Sequence, residues 1–162
     1  MTISQGDTLP AVNLMRMGES GPEPVPLVEK FDGRKIAVFG LPGAYTSTCS
    51  SAHLPSVIRN MEKFREKGVE EVICVIVNDP FVAQAWATSS GATAAGITLL
   101  ADPQSEFTKA LGLDFSTPEV GLLNRSRRYA LVAENGKVSL LFVEEEPGIC
   151  NVSGAESLLD AM

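Results

Sequence analysis

Six consecutive residues, Val72-Ile73-Cys74-Val75-Ile76-Val77, carry no charged or strongly polar side chain, and five of them are β-branched. A half-buried strand alternates apolar and polar residues, so an unbroken run of this kind reads as a strand covered on both faces, with parallel neighbours and helices above and below the sheet. The flanking segments supply those layers. Lys35-Ile36-Ala37-Val38-Phe39 is a second strand, ended by Gly40 and Pro42 and interior to the sheet. Between the two, Leu54, Val57, Ile58, Met61 and Phe64 recur at three and four residues and draw one apolar stripe on a helix that stops at Gly68. Thr46, Ser47 and Thr48 are its N-cap candidates. Strand, helix and strand form a β-α-β unit.

The pattern continues downstream. Asn78-Asp79-Pro80 opens a helix through Phe81, Val82, Ala85 and Trp86, with Asp79 as cap and Pro80 at the first position. A weak Ala, Ser and Gly stretch follows, then a strand at Ile97 to Leu100, a short helix from Gln104 to Leu111 stopped by Gly112, and a loop over 114–124. Tyr129 to Ala133, the Asn135-Gly136 turn and Lys137 to Val143 make the clearest hairpin, and Ser153 to Ala161 is a closing helix. Residues 1 to about 30, rich in Gly and Pro, read as an N-terminal hairpin or meander. The expected architecture is α/β: a three-layer α/β/α sandwich with a central mixed sheet and an N-terminal hairpin, in one domain over residues 1–162. A chain of 162 residues buries about two thirds of its unfolded surface, enough to fold without disulfide staples.

Composition removes several functions. A formal charge of −7 disfavours nucleic acid, whose binding needs clustered Lys and Arg, and only Arg125, Arg127 and Arg128 cluster. No apolar run approaches the ~20 residues of a membrane span. The start, Met1 to Asp7, shows no signal or transit pattern, so a cytoplasmic setting is expected. Cys49, Cys74 and Cys150 are odd in number and widely spaced, which suits free thiols in a reducing compartment. With one histidine, His53, and no Cys-x-x-Cys pair, neither a metal site nor another bound cofactor is expected.

The chemistry concentrates in Gly40-Leu41-Pro42-Gly43-Ala44-Tyr45-Thr46-Ser47-Thr48-Cys49-Ser50, which places a thiol in the first turn of a helix that follows a strand. The first N–H groups of a helix lack internal partners and carry partial positive charge, so a thiolate there is stabilised. Magnitude decides what else is needed. Holding a free thiol mainly ionised at neutral pH takes roughly 2–3 kcal/mol, whereas a helix end gives about 0.3–1, so a local cation is required. Arg128, at the mouth of the strand from Tyr129, is the candidate, because neighbouring parallel strands bring their ends together. Guanidinium stays charged and offers several donors, enough for a sulfur and a substrate oxygen. Thr46 can accept from a helix N–H or face the substrate, and Pro42 and Gly43 shape the pocket wall.

These residues resemble a family. Pro42-x-x-x-Thr46-x-x-Cys49 is similar to the peroxiredoxin active-site signature, and Pro42 to Thr46 with His53-Leu54-Pro55 resembles the type II, or five-type, subfamily. Val77-Asn78-Asp79-Pro80-Phe81-Val82 with Trp86, Leu100-Ala101-Asp102 and Arg125-Ser126-Arg127-Arg128-Tyr129 are similar to it in the same order, so the likeness covers nearly the whole chain. The resemblance implies a thioredoxin-like fold and a thiol peroxidase. Cys49 attacks hydrogen peroxide or an organic hydroperoxide and becomes a sulfenic acid, while Thr46 and Arg128 stabilise the departing oxygen.

Three routes back to the thiol stay open. Plant-like relatives carry a second redox cysteine at the place of Cys74, which on its own lies in the most apolar strand and reads equally as an inert core residue. Animal relatives resolve with a cysteine near Cys150, although their position falls nearer Val152. Many bacterial and plant relatives use glutathione with glutaredoxin, the route favoured here, with thioredoxin as the other external reductant. The resemblance also implies a weak homodimer through the exposed loop Leu41 to Tyr45 with Phe81. A redox relay that senses peroxide with the same thiol is the alternative from another class. Of the remaining residues, His53 fixes the loop or an interface by hydrogen bonding and is no hydrolase base, Trp86 is a packing residue, Arg125 and Arg127 are solvated or structural, and Glu144-Glu145-Glu146 is a solvated loop.

Overall fold

A computed structural model describes all residues from Met1 to Met162. The run that opens with Val72 lies in β4 (Glu71–Ile76), at the middle of a seven-stranded sheet. It pairs in parallel with β3 (Lys35–Leu41) on one side and β5 (Thr98–Ala101) on the other. Beyond β5 the sheet is extended by the N-terminal hairpin of β1 (Asn13–Gly18) and β2 (Gly21–Pro26). Beyond β3 it is extended by β8 (Tyr129–Glu134) and β9 (Lys137–Val143), giving the order β2-β1-β5-β4-β3-β8-β9.

Side-chain alternation along the central strands builds two cores. Ala37, Phe39 and Leu41 of β3 with Val72, Cys74 and Ile76 of β4 face one side. There they meet Leu54, Val57 and Phe64 of α2 (Leu54–Arg59) and α3 (Met61–Glu66), Trp86 of α4 (Pro80–Ser89), Ala92 of α5 (Ala92–Ala95) and Leu158 of α7 (Ala155–Ala161). Ile36, Val38, Ile73 and Val75 face the other side, against Phe31 of α1 (Val28–Phe31) and Phe107 and Leu111 of α6 (Glu106–Leu111). This is the expected three-layer sandwich, and the period of two in every central strand is what separates its two cores.

Local chemistry fixes the joints. Asp79 caps α4 by accepting from the Val82 amide at 2.9 Å, with Pro80 at the first position. Asn135 and Gly136 both take positive φ (50° and 77°), the turn that matches the twist of the β8–β9 hairpin.

Three expectations need correction. The stripe from Leu54 to Phe64 is not one helix: it breaks at Asn60 (φ −110°), and a π-helical turn, η1 (Cys49–His53), precedes it. Pro55 has no N–H to give the fourth carbonyl before it, and a wider turn relieves the ring's crowding there. The 114–124 segment is no loop but a two-stranded ribbon, β6 (Asp114–Thr117) and β7 (Leu122–Ser126), joined by a single 3₁₀ turn, η2 (Pro118–Val120). The weak stretch after α4 holds the short α5.

Gly40 lies opposite Tyr129 in the β3–β8 ladder, and a methyl group there would overlap the buried Tyr129 ring. Gly40→Ala is expected to lower stability by about 2–3 kcal/mol in urea unfolding through this overpacking. Gly148→Ala, where a methyl meets open space, is the control and is expected to stay within about 0.5 kcal/mol of the parent.

Candidate functional site

The site forms where the carboxyl ends of β3 and β4 meet the start of β8. Arg128 reaches it for a reason other than the expected one: β8 runs antiparallel to β3, with Gly40 paired to Tyr129. The residue before Tyr129 therefore lies beside the residues after Gly40. Arg128 is buried and donates from Nη1 to Cys49 Sγ at 3.0 Å, and from Nε to the Pro147 carbonyl at 2.7 Å. Cys49 itself is fully buried.

The helix end at Cys49 is open. Its first main-chain bond runs from the Ser50 amide to the Thr46 carbonyl at 3.0 Å, and no carbonyl of the chain accepts from the amides of Ser47, Thr48 or Cys49. None of the three N-cap candidates caps with its side chain. Thr46 Oγ1 instead donates to the Gly43 carbonyl at 3.0 Å. A hydroxyl has one proton and two lone pairs, so Thr46, its proton engaged, is left as an acceptor.

Pro42, Thr46, Thr48 and Arg128 line one cavity of about 270 Å³, walled on the far side by Phe115 and Val120 of the β6–β7 ribbon. Gly43 is not part of that wall. It is buried behind the loop, where a methyl group would overlap the Arg125 guanidinium. Arg125, expected to be solvated or structural, is half-buried and donates to the Pro42 carbonyl at 3.2 Å. Asn78 Oδ1 accepts from the Ala44 amide at 2.7 Å. Neither role was foreseen, though Asn78 lies where ligand-facing loops of such sheets gather, just past the end of a parallel strand.

The segment after β9 closes the site from above. Thr48 Oγ1 donates to the Gly148 carbonyl at 2.8 Å, and His53 Nε2 donates to the Ser153 carbonyl at 2.8 Å. Glu144 is buried rather than solvated, and its Oε1 accepts from the Val152 amide, the Ser153 amide and the Ser153 hydroxyl at 2.7–2.9 Å. His53 makes no bond to Cys49, so the geometry gives a tethered loop and no Cys-His pair. Trp86 packs in the core as expected and also donates to Ser50 Oγ at 3.2 Å.

The other thiols stand apart from the cavity. Cys74 is fully buried on β4, and burial pushes its thiol far above the ordinary range. Cys150 is half-buried with Sγ 3.9 Å from Ser153 Oγ, and its thiol is raised by burial, with the Glu144 carboxylate adding to the effect.

A redoxin family model matches residues 4–159. The chain is 43% identical over 161 residues to peroxiredoxin-2C of Oryza sativa subsp. japonica, covering 99% of this chain and 98% of that one. It belongs to the type II peroxiredoxins. The fold agrees: a solved structure from Vibrio vulnificus, reduced Prx3 in complex with hydrogen peroxide, is 43% identical over 99% of both chains with a TM-score of 0.91. Peroxiredoxin 5 from Alvinella pompejana, 31% identical, superposes with a TM-score of 0.84 over 98% of this chain and 97% of that one. As a peroxiredoxin the protein is a thiol-dependent peroxidase, with a peroxide as substrate and a thiol as reductant.

Burial lowers His53 from its ordinary 6.5 to about 4, and Arg128 adds to the shift. The folded peroxiredoxin thus binds this proton less readily than the unfolded chain. The stabilisation is complete above pH ~6.5 and is lost as pH falls toward 4, about 2 kcal/mol of it by pH 5. His53→Gln is expected to remove this increment from the pH dependence, as read by urea unfolding at pH 7 and pH 5 in both proteins.

Proposed function

We propose that Cys49 is the peroxidatic nucleophile, held as a thiolate by Arg128 and the open helix end, and that Thr46 and Arg128 orient and polarise the peroxide. The supporting observation is the 3.0 Å contact between Arg128 Nη1 and the buried Cys49 Sγ, made by an arginine that lines, with Thr46, the adjoining cavity. The sulfur donates an electron pair to the nearer peroxide oxygen and the O–O bond breaks. The farther oxygen leaves with the bonding pair, takes up a proton, and departs as water or an alcohol. Cys49 is left as a sulfenic acid. Arg128 and the free amides meet the charge that develops on the leaving oxygen. The apolar wall of Phe115 and Val120 suits the alkyl group of an organic hydroperoxide as well as hydrogen peroxide.

For recycling, the reading is an external thiol. Glutathione condenses with the sulfenic acid, releasing water and leaving a mixed disulfide, and a second thiol, delivered by glutathione or glutaredoxin, restores Cys49. The fully buried Cys74 and the tethered Cys150 loop support a route that uses neither as first resolver. A reducing compartment, the cytoplasm, suits three free cysteines. For the proposed homodimer, Leu41 is buried and drops out of the contact surface, which leaves Tyr45 and Phe81, 60% and 61% exposed.

Cys49→Ser is expected to abolish peroxide consumption. Arg128→Met and Thr46→Val are expected to fold and to slow sulfenic acid formation at least ~10-fold in stopped-flow fluorescence, the scale of losing one oriented donor or acceptor. Unchanged rates in both remove the proposed roles. Oxidation that stops at one equivalent of peroxide per chain, with reductant present, marks a sensor rather than an enzyme.

Recycling is tested with Cys74→Ser and Cys150→Ser, each supplied with glutathione and glutaredoxin or with thioredoxin. Turnover that persists in both with glutathione supports the one-cysteine cycle. Its loss in either variant assigns that cysteine to the cycle.

A further inference from the structure

Arg125 has no carboxylate within salt-bridge distance, and its one hydrogen bond, 3.2 Å from Nη1, goes to the main chain at Pro42. Holding a long cationic side chain half-buried without an ion pair costs both side-chain entropy and hydration, so the position calls for a compensating role.

The bond it makes lies at the head of a relay. Pro42 O and the Gly43 amide belong to one peptide plane, so fixing the carbonyl fixes that plane. Asn78, in the bend after β4, holds the next peptide, Gly43–Ala44, through the Ala44 amide at 2.7 Å. Gly43 O then takes the Thr46 hydroxyl proton at 3.0 Å, and Thr46 O takes the Ser50 amide that begins the helix. Between these bonds Tyr45 is held at φ 64°, a left-handed conformation that a bulky residue adopts only when its surroundings impose it. Glycine at 43 is explained by the same contact, since a side-chain carbon there would overlap the guanidinium.

We infer that Arg125 is a positioning residue of peroxide reduction: by holding the Pro42–Gly43 peptide it fixes, together with Asn78 on the next peptide, the Gly43 carbonyl that directs the Thr46 hydroxyl, and so the orientation of the bound peroxide. The inference rests on the reading of Cys49, Thr46 and Arg128 given above. Arg125 does not touch Cys49 in this arrangement. The ion pair to the sulfur belongs to Arg128, so loss of Arg125 leaves the sulfur nucleophilic and disturbs only where the peroxide sits. An error of about 1 Å in such positioning costs up to ~100-fold in rate.

The two effects separate experimentally. In Arg125→Met, sulfenic acid formation with hydrogen peroxide is expected to slow by ~10–100-fold, while alkylation of Cys49 by iodoacetamide, which needs the thiolate but no oriented peroxide, stays within about 2-fold of the parent. Arg125→Lys, which keeps the charge and one donor, is expected to recover part of the peroxide rate. Gly43→Ala, which displaces the guanidinium, is expected to reproduce the Arg125→Met loss and to add little to it in the double variant. A peroxide rate unchanged in Arg125→Met, or peroxide and alkylation rates that fall in parallel, overturns the inference. A parent protein that forms no sulfenic acid at Cys49 overturns the underlying reading as well. Thermal unfolding of each variant shows whether a lost rate reflects lost fold, and a parallel fall in Arg125→Lys counts against the role.

Discussion

The contact between Arg128 and Cys49 joins two groups that water scarcely reaches. Each is costly alone. A buried guanidinium without a counter-charge costs several kcal/mol, and the thiolate proposed for Cys49 would be as costly without the guanidinium, so in that reading each group needs the other. The requirement reaches back into the sheet. Arg128 is placed by the residue pairing of β3 and β8, in which Gly40 faces Tyr129, and a slip of one residue would turn every side chain of that strand to the wrong face. The hydrophobic alternation that separates the two cores is thus also what delivers the cation to the sulfur.

Around this pair, four connecting segments meet: those after β3, β4 and β9, and the corner between β7 and β8. They are tied by side chains that bond main-chain groups: Asn78 to Ala44, Arg125 to Pro42, Thr48 to Gly148, Arg128 to Pro147 and His53 to Ser153. Bonds of that kind fix the course of the chain, which side-chain to side-chain bonds do not. They hold Tyr45 in its unfavourable conformation and keep the helix end open, so the amides of Ser47, Thr48 and Cys49 have no main-chain partner.

The layers of the fold, and the residues that meet around Cys49, could be read from the chain because each leaves a local signal. The Val72 run marks the buried strand, Asp79-Pro80 marks a helix start, Asn135-Gly136 marks the hairpin, and the Pro42 to Cys49 motif marks the reactive loop. What escaped is what depends on contacts distant in sequence. Nothing near Glu144 says that it will be buried by two amides and a hydroxyl from residues 152 and 153. Nothing near Arg125 points to Pro42, 83 positions away. The β6–β7 ribbon was missed because Pro118 and Gly121 interrupt it and its bulged register weakens the alternation. The break at Asn60 was missed because the apolar stripe continues across it, and periodicity records the face of a helix, not its continuity.

The same geometry weighs the possible partners of an oxidised Cys49. Freeing Cys74 means releasing β4 from both β3 and β5, a loss of the central ladder and of side chains packed on both faces. With each main-chain bond worth ~1 kcal/mol net and each large buried side chain ~2, that opening approaches global unfolding. Exposing Cys49 gives up its bond to Arg128 but no strand ladder, because it lies in the first turn of a short π helix whose opening amides have no main-chain partner to lose. Releasing the Cys150 segment is intermediate, since it must break the three bonds at Glu144 and those from Thr48, His53 and Arg128. On this count the turn at Cys49 opens with fewer main-chain bonds lost than the segment of either other cysteine. A thiol that comes to meet it from solvent needs only that first turn to yield, whereas either internal cysteine needs a second part of the structure to open at the same time.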